Sequence, residues 1–285
     1  MKYLNKFAAL AVVVAILLSH SLIAAPADSA SPPATVDLSV PALTPVASHA
    51  PLKLALYEGP GSIGGDHHAL VNAAFVADPN VTLAVLSPAD IQSGKLSDYD
   101  VLVQAGGSGG AQGKALGPTG RDAIRAFVKA GGGYIGICGG SYLASANYDW
   151  SLNIINTKVV DREHWARGHG EVKIGLSDDG KKLLGVDSGT LPILYWQGPL
   201  MAPKNDPTLP SYTELAKFDT EIAENGAPKG VMTGTTAIAA APFGEGRVVC
   251  FSPHPEKVTG EASLLNHAVV WAAAAKLAPK KAAAN

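Results

Sequence analysis

Charge, sulfur and aromatic side chains are all scarce in this chain: of 285 residues 16% are charged and 6% aromatic, with two cysteines and three methionines. Each shortage excludes something. The two thiols, Cys138 and Cys250, are too far apart to make a C-x-x-C pair. A formal net charge of −2 gives no electrostatic case for nucleic acid or an acidic membrane as partner. Asp66, His67, His68, His164 and His169 are metal-competent, but none has the i,i+4 spacing of H-E-x-x-H, so no metal is expected. The glycine-rich loop Ala105-Gly106-Gly107-Ser108-Gly109-Gly110 lacks the lysine and Ser/Thr of a phosphate loop, and no cofactor is expected. No repeat of fixed period occurs.

What is present is 47% hydrophobic sequence, typical of one compact α/β domain. Lys2 and Lys6 precede the apolar run 7–18, and small residues follow, with Ala25-Pro26-Ala27 as one cleavage pattern. That is a secretory signal over residues 1–27, which implies export to a periplasm or the outside. The competing reading is an uncleaved anchor, but the run falls short of the ~20 residues that span a bilayer. No stable membrane insertion is therefore expected after signal removal. Residues 28–51 are rich in Ala, Ser, Pro and Val and read as a tether or disordered spacer. The domain is expected over 52–276, with a loose tail at 277–285.

Within the domain, strands are predicted at 52–57, 81–86, 100–104 and 134–137, with helices at 68–77 and 121–130. This alternation predicts an α/β fold: a flavodoxin-like open, mostly parallel sheet with helices on both faces. Residues 151–245 are less regular, with short strands at 172–175, 191–196 and 236–241. A strand at 247–251 and a helix at 262–276 close the domain.

Two motifs carry chemistry. Gly136-Ile137-Cys138-Gly139-Gly140 is the cysteine form of a nucleophile elbow, where a strand turns sharply into a helix. Small neighbours are needed because the nucleophile's backbone is strained, and Gly136 and Gly140 supply them. The helix N-terminus favours thiolate. Ser252-Pro253-His254-Pro255-Glu256 follows the last strand and offers an imidazole and a carboxylate. Cys138, His254 and Glu256 thus make a candidate nucleophile, base and orienting acid. The N–H groups of Gly106, Gly107 and Gly139 are candidates for an oxyanion hole. Tyr195 and Gln197 are candidate substrate-binding residues, and His67 and His68 open onto the same sheet edge. The bland alternatives are a buried structural cysteine, a loop histidine held by prolines, and a glycine-rich connector.

Residues 105–107 and 131–145, with Trp165-Ala-Arg-Gly-His-Gly170, Tyr195-Trp-Gln-Gly-Pro199, Gly244-Glu-Gly-Arg-Val248 and the downstream His-Pro-Glu, carry a resemblance. The chain resembles the class I glutamine amidotransferase-like superfamily. Within it, the sequence is similar to the domain at the N-terminus of some biotin–protein ligases, in its stand-alone exported form. The resemblance spans roughly residues 52–275 and implies Cys138 as nucleophile, His254 as base and Glu256 as its partner. It includes no ligase half, so biotin ligase activity is not expected. Neither is conventional ammonia supply from glutamine, for want of a synthetase domain.

The expected function is therefore hydrolysis or acyl transfer at an amide or related acyl carbon of a small molecule or peptide. Two alternatives remain open: a non-catalytic binding module that keeps the pocket, and a thiol or redox protein using Cys138 and Cys250. An exported protein with an even cysteine count invites a Cys138–Cys250 bridge, but that would silence the nucleophile, so a free Cys138 with Cys250 as a buried structural residue is the favoured reading. Sequence leaves the substrate and oligomeric state open.

Overall fold

The structure, a computed structural model, describes residues 35–64 and 66–277. The signal pattern, the first residues of the spacer and the tail from 278 lie outside the described residues. In chain order the first elements are β1 (Leu52–Tyr57), α1 (Asp66–Val76), β2 (Val81–Leu86), α2 (Pro88–Gln92), β3 (Val101–Gln104), α3 (Gly109–Lys129), β4 (Gly133–Ile137) and α4 (Gly139–Ala144). There follow β5 (Thr157–Val160), β6 (His169–Leu176), α5 (Asp178–Leu184), β7 (Thr190–Trp196), β8 (Leu200–Pro203) and β9 (Thr213–Phe218). The last are β10 (Thr236–Phe243), β11 (Gly246–Phe251) and α6 (Ala262–Leu277).

Strands buried on both faces read as unbroken apolar runs, and those runs form the centre of an 11-stranded sheet. Its order is β2-β1-β3-β4-β11-β10-β9-β6-β7, with β5 and β8 off this path. The first five strands on the path pair in parallel, as βαβ crossovers require. From β10 onward pairing is antiparallel. The fold class is α/β, as the alternation predicts, and the parallel core carries an antiparallel extension. That extension is the stretch where the sequence pattern is weak.

Side chains alternate between two cores along each central strand. Leu54, Leu56, Ile135 and Val249 meet Phe75 of α1 and Leu264, Leu265 and Val269 of α6 on one face. Ala55, Tyr57, Tyr134, Val248 and Cys250 meet Ile91, Ile124, Val128 and Leu143 of α2, α3 and α4 on the other. Helices therefore cover both faces. α3 starts earlier than its sequence pattern suggests, because Ser108 caps it by accepting the Ala111 N–H at 3.3 Å. The cost is a kink at Gly117 (φ 60°), just before Pro118, where the helical bond to i−4 is lost.

The spacer differs from expectation over its described part, residues 35–51. It is an extended strap held against the domain, not a loose tether. Val36 N–H donates to the Lys257 carbonyl at 2.8 Å, and Thr44 N–H to that of Gly185 at 2.8 Å. Val40 and Leu43 pack on the core. Prolines prevent a regular ladder of donors, but they do not prevent the valines and leucines between them from being buried.

Phe75 is fully buried and ties α1 to the core. Phe75→Ala is expected to lower stability by about 3–5 kcal/mol, read as a drop in the urea midpoint with an unchanged slope.

Candidate active site

β4 ends at Ile137, Cys138 follows, and α4 begins at Gly139. Cys138 sits at φ 49°, ψ −102°, a conformation that side chains rarely adopt. Three backbone bonds hold it there. Its N–H donates to the Phe251 carbonyl at 2.8 Å, and its own carbonyl accepts from Ser141 N–H at 2.9 Å and Tyr142 N–H at 3.0 Å. The strain of such a residue, of order 1–3 kcal/mol, persists only where the surroundings over-determine it. Close packing is part of that determination: a Cβ at Gly140 would lie 1.9 Å from the Gln104 carbonyl oxygen, so α4 approaches β3 only with glycine there.

β11 lies next to β4 in register, with Phe251 opposite Ile137. His254 therefore leaves the sheet beside the elbow, and Ser252-Pro253 ends the strand. His254 Nδ1 donates to Glu256 Oε1 at 2.6 Å. His67 of α1 donates through Nε2 to the same oxygen at 3.0 Å. All three residues are buried, and the two imidazoles meet edge to face with centroids 6.0 Å apart. The Cys138 Sγ–H donates to the Trp196 carbonyl at 3.5 Å, and His254 Nε2 has no hydrogen-bond partner among the described residues. The sulfur still lies within electrostatic reach of that ring.

The charges follow from this arrangement. Burial would lower the His254 pKa, but Glu256 and the Cys138 sulfur outweigh it and hold it up at about 10. Burial would raise Glu256, and His254 and His67 together push it well below the usual carboxylate range. His67 is lowered, chiefly by burial, and so stays neutral. The group is one carboxylate shared by two imidazoles, beside the Cys138 sulfur, with His254 the imidazole that holds a second proton.

The glycine loop reaches the same place. A Cβ at Gly106 would sit 3.0 Å from His254 Cε1 and 3.2 Å from His67 Cε1. Gly107 packs its carbonyl against Gly139, and Ser108 N–H ties the loop to the Gly61 carbonyl at 2.8 Å. Gly139 opens α4, so its N–H has no acceptor within the helix. The structure thus brings Cys138, His254, Glu256, Gly106, Gly107 and Gly139 together. Gln197 is also at the site, through its backbone: at φ 56° it follows Trp196, and its carbonyl accepts the Tyr142 hydroxyl at 3.2 Å.

Tyr195 requires a correction. It is fully buried, its hydroxyl donates to the Gly198 carbonyl at 2.9 Å, and its ring packs edge-on against Phe218. With its polar end satisfied internally, it props up the Trp196–Gly198 turn and is not a substrate-binding residue. The Cys138–Cys250 pairing also fails. Both cysteines are free, Cys138 belongs to the α1/α6 core and Cys250 to the α2/α3/α4 core, so the sheet separates them. Burial pushes the Cys250 thiol up to about 12, and a redox pair has no geometric basis.

His67 was legible only as a neighbour of the pocket, because its partner lies 189 residues away. His67, His254 and Glu256 bring ligand atoms within 4.8 Å of one another, close enough for a cation in principle. In their present arrangement those atoms bond to each other through protons. Cys138 is 7% exposed. Two surface clefts, one lined by His49 and Asp78 and one by Arg247 and Trp271, lie away from it.

Residues 54–166 match the family model described as biotin–protein ligase, N terminal. Two solved structures share the fold. A ThuA-like protein from Parabacteroides merdae is 16% identical with TM-score 0.52, over 82% of this chain and 94% of that one. A ThuA-like protein from Bacteroides uniformis is 13% identical with TM-score 0.51, over 79% and 94%. No curated protein matches the chain.

Glu261 gives a stability test of the site's burial. It is fully buried, neither carboxylate oxygen has a hydrogen-bond partner among the described residues, and burial with Glu256 nearby raises its pKa from 4.5 to about 9. The folded state then holds a proton that the unfolded chain releases, so stability falls as pH rises from 4.5 toward 9. Glu261→Gln is expected to be the more stable protein at pH 8, by about 1–3 kcal/mol, with the gap closing at pH 4.5 in urea unfolding.

Proposed function

We propose that this chain is a cysteine hydrolase or acyl transferase that acts on an amide or related acyl carbon, and that it is exported. The observation that carries the reading is the 2.6 Å contact of His254 Nδ1 with buried Glu256, beside a cysteine held at φ 49°. A carboxylate on one imidazole nitrogen fixes the tautomer and orients the ring, leaving Nε2 for proton transfer at the thiol. The Cys138 S–H proton passes to His254 Nε2, and the sulfur attacks the acyl carbon, forming an S–C bond as the carbonyl electrons move to oxygen. Backbone N–H groups of the Gly106–Gly107 loop and Gly139 are the candidate donors to that oxygen. The C–N or C–O bond breaks as His254 gives its proton to the leaving group. Water then attacks the thioester as His254 takes its proton, the C–S bond breaks as that proton returns to sulfur, and the carboxylic acid leaves.

The N-terminal pattern of Lys2, Lys6 and the apolar run 7–18 supports export. Among the described residues no helix is long and apolar enough to cross a membrane. N-terminal sequencing of protein from the periplasm or medium is expected to begin near residue 28.

A screen of amides and esters with wild type and Cys138→Ala tests the chemistry. Wild-type turnover of at least one compound is expected, with a loss of several orders of magnitude in the variant and little ammonia from free glutamine. Iodoacetamide is expected to label Cys138 faster than a free thiol at pH 7, and His254→Ala to slow labelling. A compound bound equally by both forms and turned over by neither establishes a binding module instead. Activity lost to chelator and restored by zinc assigns His67, His254 and Glu256 to a cation.

A further inference from the structure

Arg167 is among the largest fully buried side chains, 1% exposed. A guanidinium removed from water needs its five donors matched. Nη2 bonds to Asp161, which stands at φ 49° and also accepts from His164 Nδ1 at 2.6 Å. Nη1 has no partner among the described residues. The backbone is fixed as well: Gly168 follows at φ 111°, and the Arg167 carbonyl accepts the Glu224 N–H at 2.9 Å. A buried arginine held this firmly, with one donor face open, is prepared for something the protein itself does not supply.

Its place in the fold indicates where that face looks for a partner. Two residues on, His169 opens β6 opposite Trp196 and stacks on its ring at 4.2 Å. The Trp196 carbonyl is the group that accepts the Cys138 Sγ–H at 3.5 Å. Tyr142 and Tyr195 lie within electrostatic reach of both the guanidinium and the Cys138 sulfur. A second buried cation stands over the same indole: Lys257 Nζ is 5.7 Å from the Trp196 ring centre and has no hydrogen-bond partner among the described residues. The thiol therefore sits next to a tryptophan with one buried cation, Lys257, over its ring, and Arg167 lies two residues before the histidine stacked on that ring.

We propose that Arg167 is a specificity-determining residue that receives a carboxylate of the substrate beside the carbon attacked by Cys138. The proposal rests on Cys138 as nucleophile, and it narrows the substrate to a small acyl compound that also bears a free carboxylate. Nη1 supplies a charge-assisted donor, and Asp161 holds the guanidinium plane. A neutral analogue leaves the buried donor unpaired and is rejected for that reason.

Two alkylating reagents that differ in charge alone provide the test. In each, the Cys138 thiolate displaces iodide from the methylene carbon: the S–C bond forms, the C–I bond breaks and iodide leaves. Rates are followed by mass spectrometry of the Cys138 peptide in the full chain. The ratio of iodoacetate to iodoacetamide rate cancels the thiolate fraction and so reports the anion site. Wild type is expected to exceed the ratio of N-acetylcysteine by about tenfold or more, the scale of one charge-assisted hydrogen bond. Arg167→Gln is expected to bring the ratio back to that of the free thiol, and Arg167→Lys to retain part of it. If Arg167→Gln fails to fold because Asp161 is stranded, the double variant Asp161→Asn/Arg167→Gln removes both charges. A wild-type ratio equal to the free thiol's overturns the proposal, as does a raised ratio that survives loss of Arg167 or vanishes only in Lys257→Met. If neither reagent labels Cys138, the nucleophile reading fails. Tryptophan fluorescence titration with succinate against succinamide then decides the subsite, and equal binding of the two overturns it.

Discussion

One buried carboxylate oxygen organises this molecule's chemistry. Glu256 Oε1 accepts from His254 at 2.6 Å and from His67 at 3.0 Å, all three away from water. An ionised carboxylate in such a place is costly unless its lone pairs are filled by charged or strongly polarised donors. Two imidazoles fill them on one oxygen, and one imidazole carries the compensating charge. The arrangement links two distant segments: α1 brings His67, and the segment after β11 brings both His254 and Glu256. Any slip of β11 against β4 would carry the ring away from the thiol and the carboxylate away from His67. The register of Phe251 on Ile137 is thus a functional constraint as well as a structural one.

The elbow is the second place where stability is exchanged for geometry. A non-glycine residue at φ 49° is held by three backbone bonds and by a neighbour that has no Cβ. Ser141 adds to this by donating one hydroxyl proton within a fork of two carbonyls, Gly136 at 3.0 Å and Phe251 at 2.8 Å. That hydroxyl bridges β4 and β11 just beneath Cys138, so elbow and base share a support. The parallel core, with its two alternating hydrophobic layers, is rigid enough to carry this strain.

The sequence showed the parts of this site that are local. Cys138 lies among glycines in a five-residue motif, and His254 and Glu256 lie two apart, so short-range pattern was enough. The parallel strands were equally plain, because strands buried on both faces leave unbroken apolar runs. β5, β8 and β9 were not, since their burial alternates or lapses and they pair with partners far along the chain. Tyr195 looked like a pocket residue because it adjoins a conspicuous Trp-Gln-Gly turn. Only the fold shows that its hydroxyl closes that turn from within. The spacer was misjudged for a related reason: proline content predicts the absence of regular structure, and it says little about whether the chain is packed.

The antiparallel extension explains why so much chemistry escaped local pattern. The elbow, the base and the glycine loop come from the parallel half, where motif and strand end coincide. The opposite wall comes from β6, β7 and the turns around them: Trp196 at the thiol, His169 stacked on it, Arg167 just before. None of these sits in a motif whose spacing announces a role, because their roles depend on pairing across a hairpin of antiparallel strands. The parallel half holds the candidate attacking group and leaves open what it would attack. The opposite wall presents a buried guanidinium with an open donor, the feature on which the proposed selectivity rests. On the proposed reading the thiol would set the type of reaction and the antiparallel half would choose the substrate.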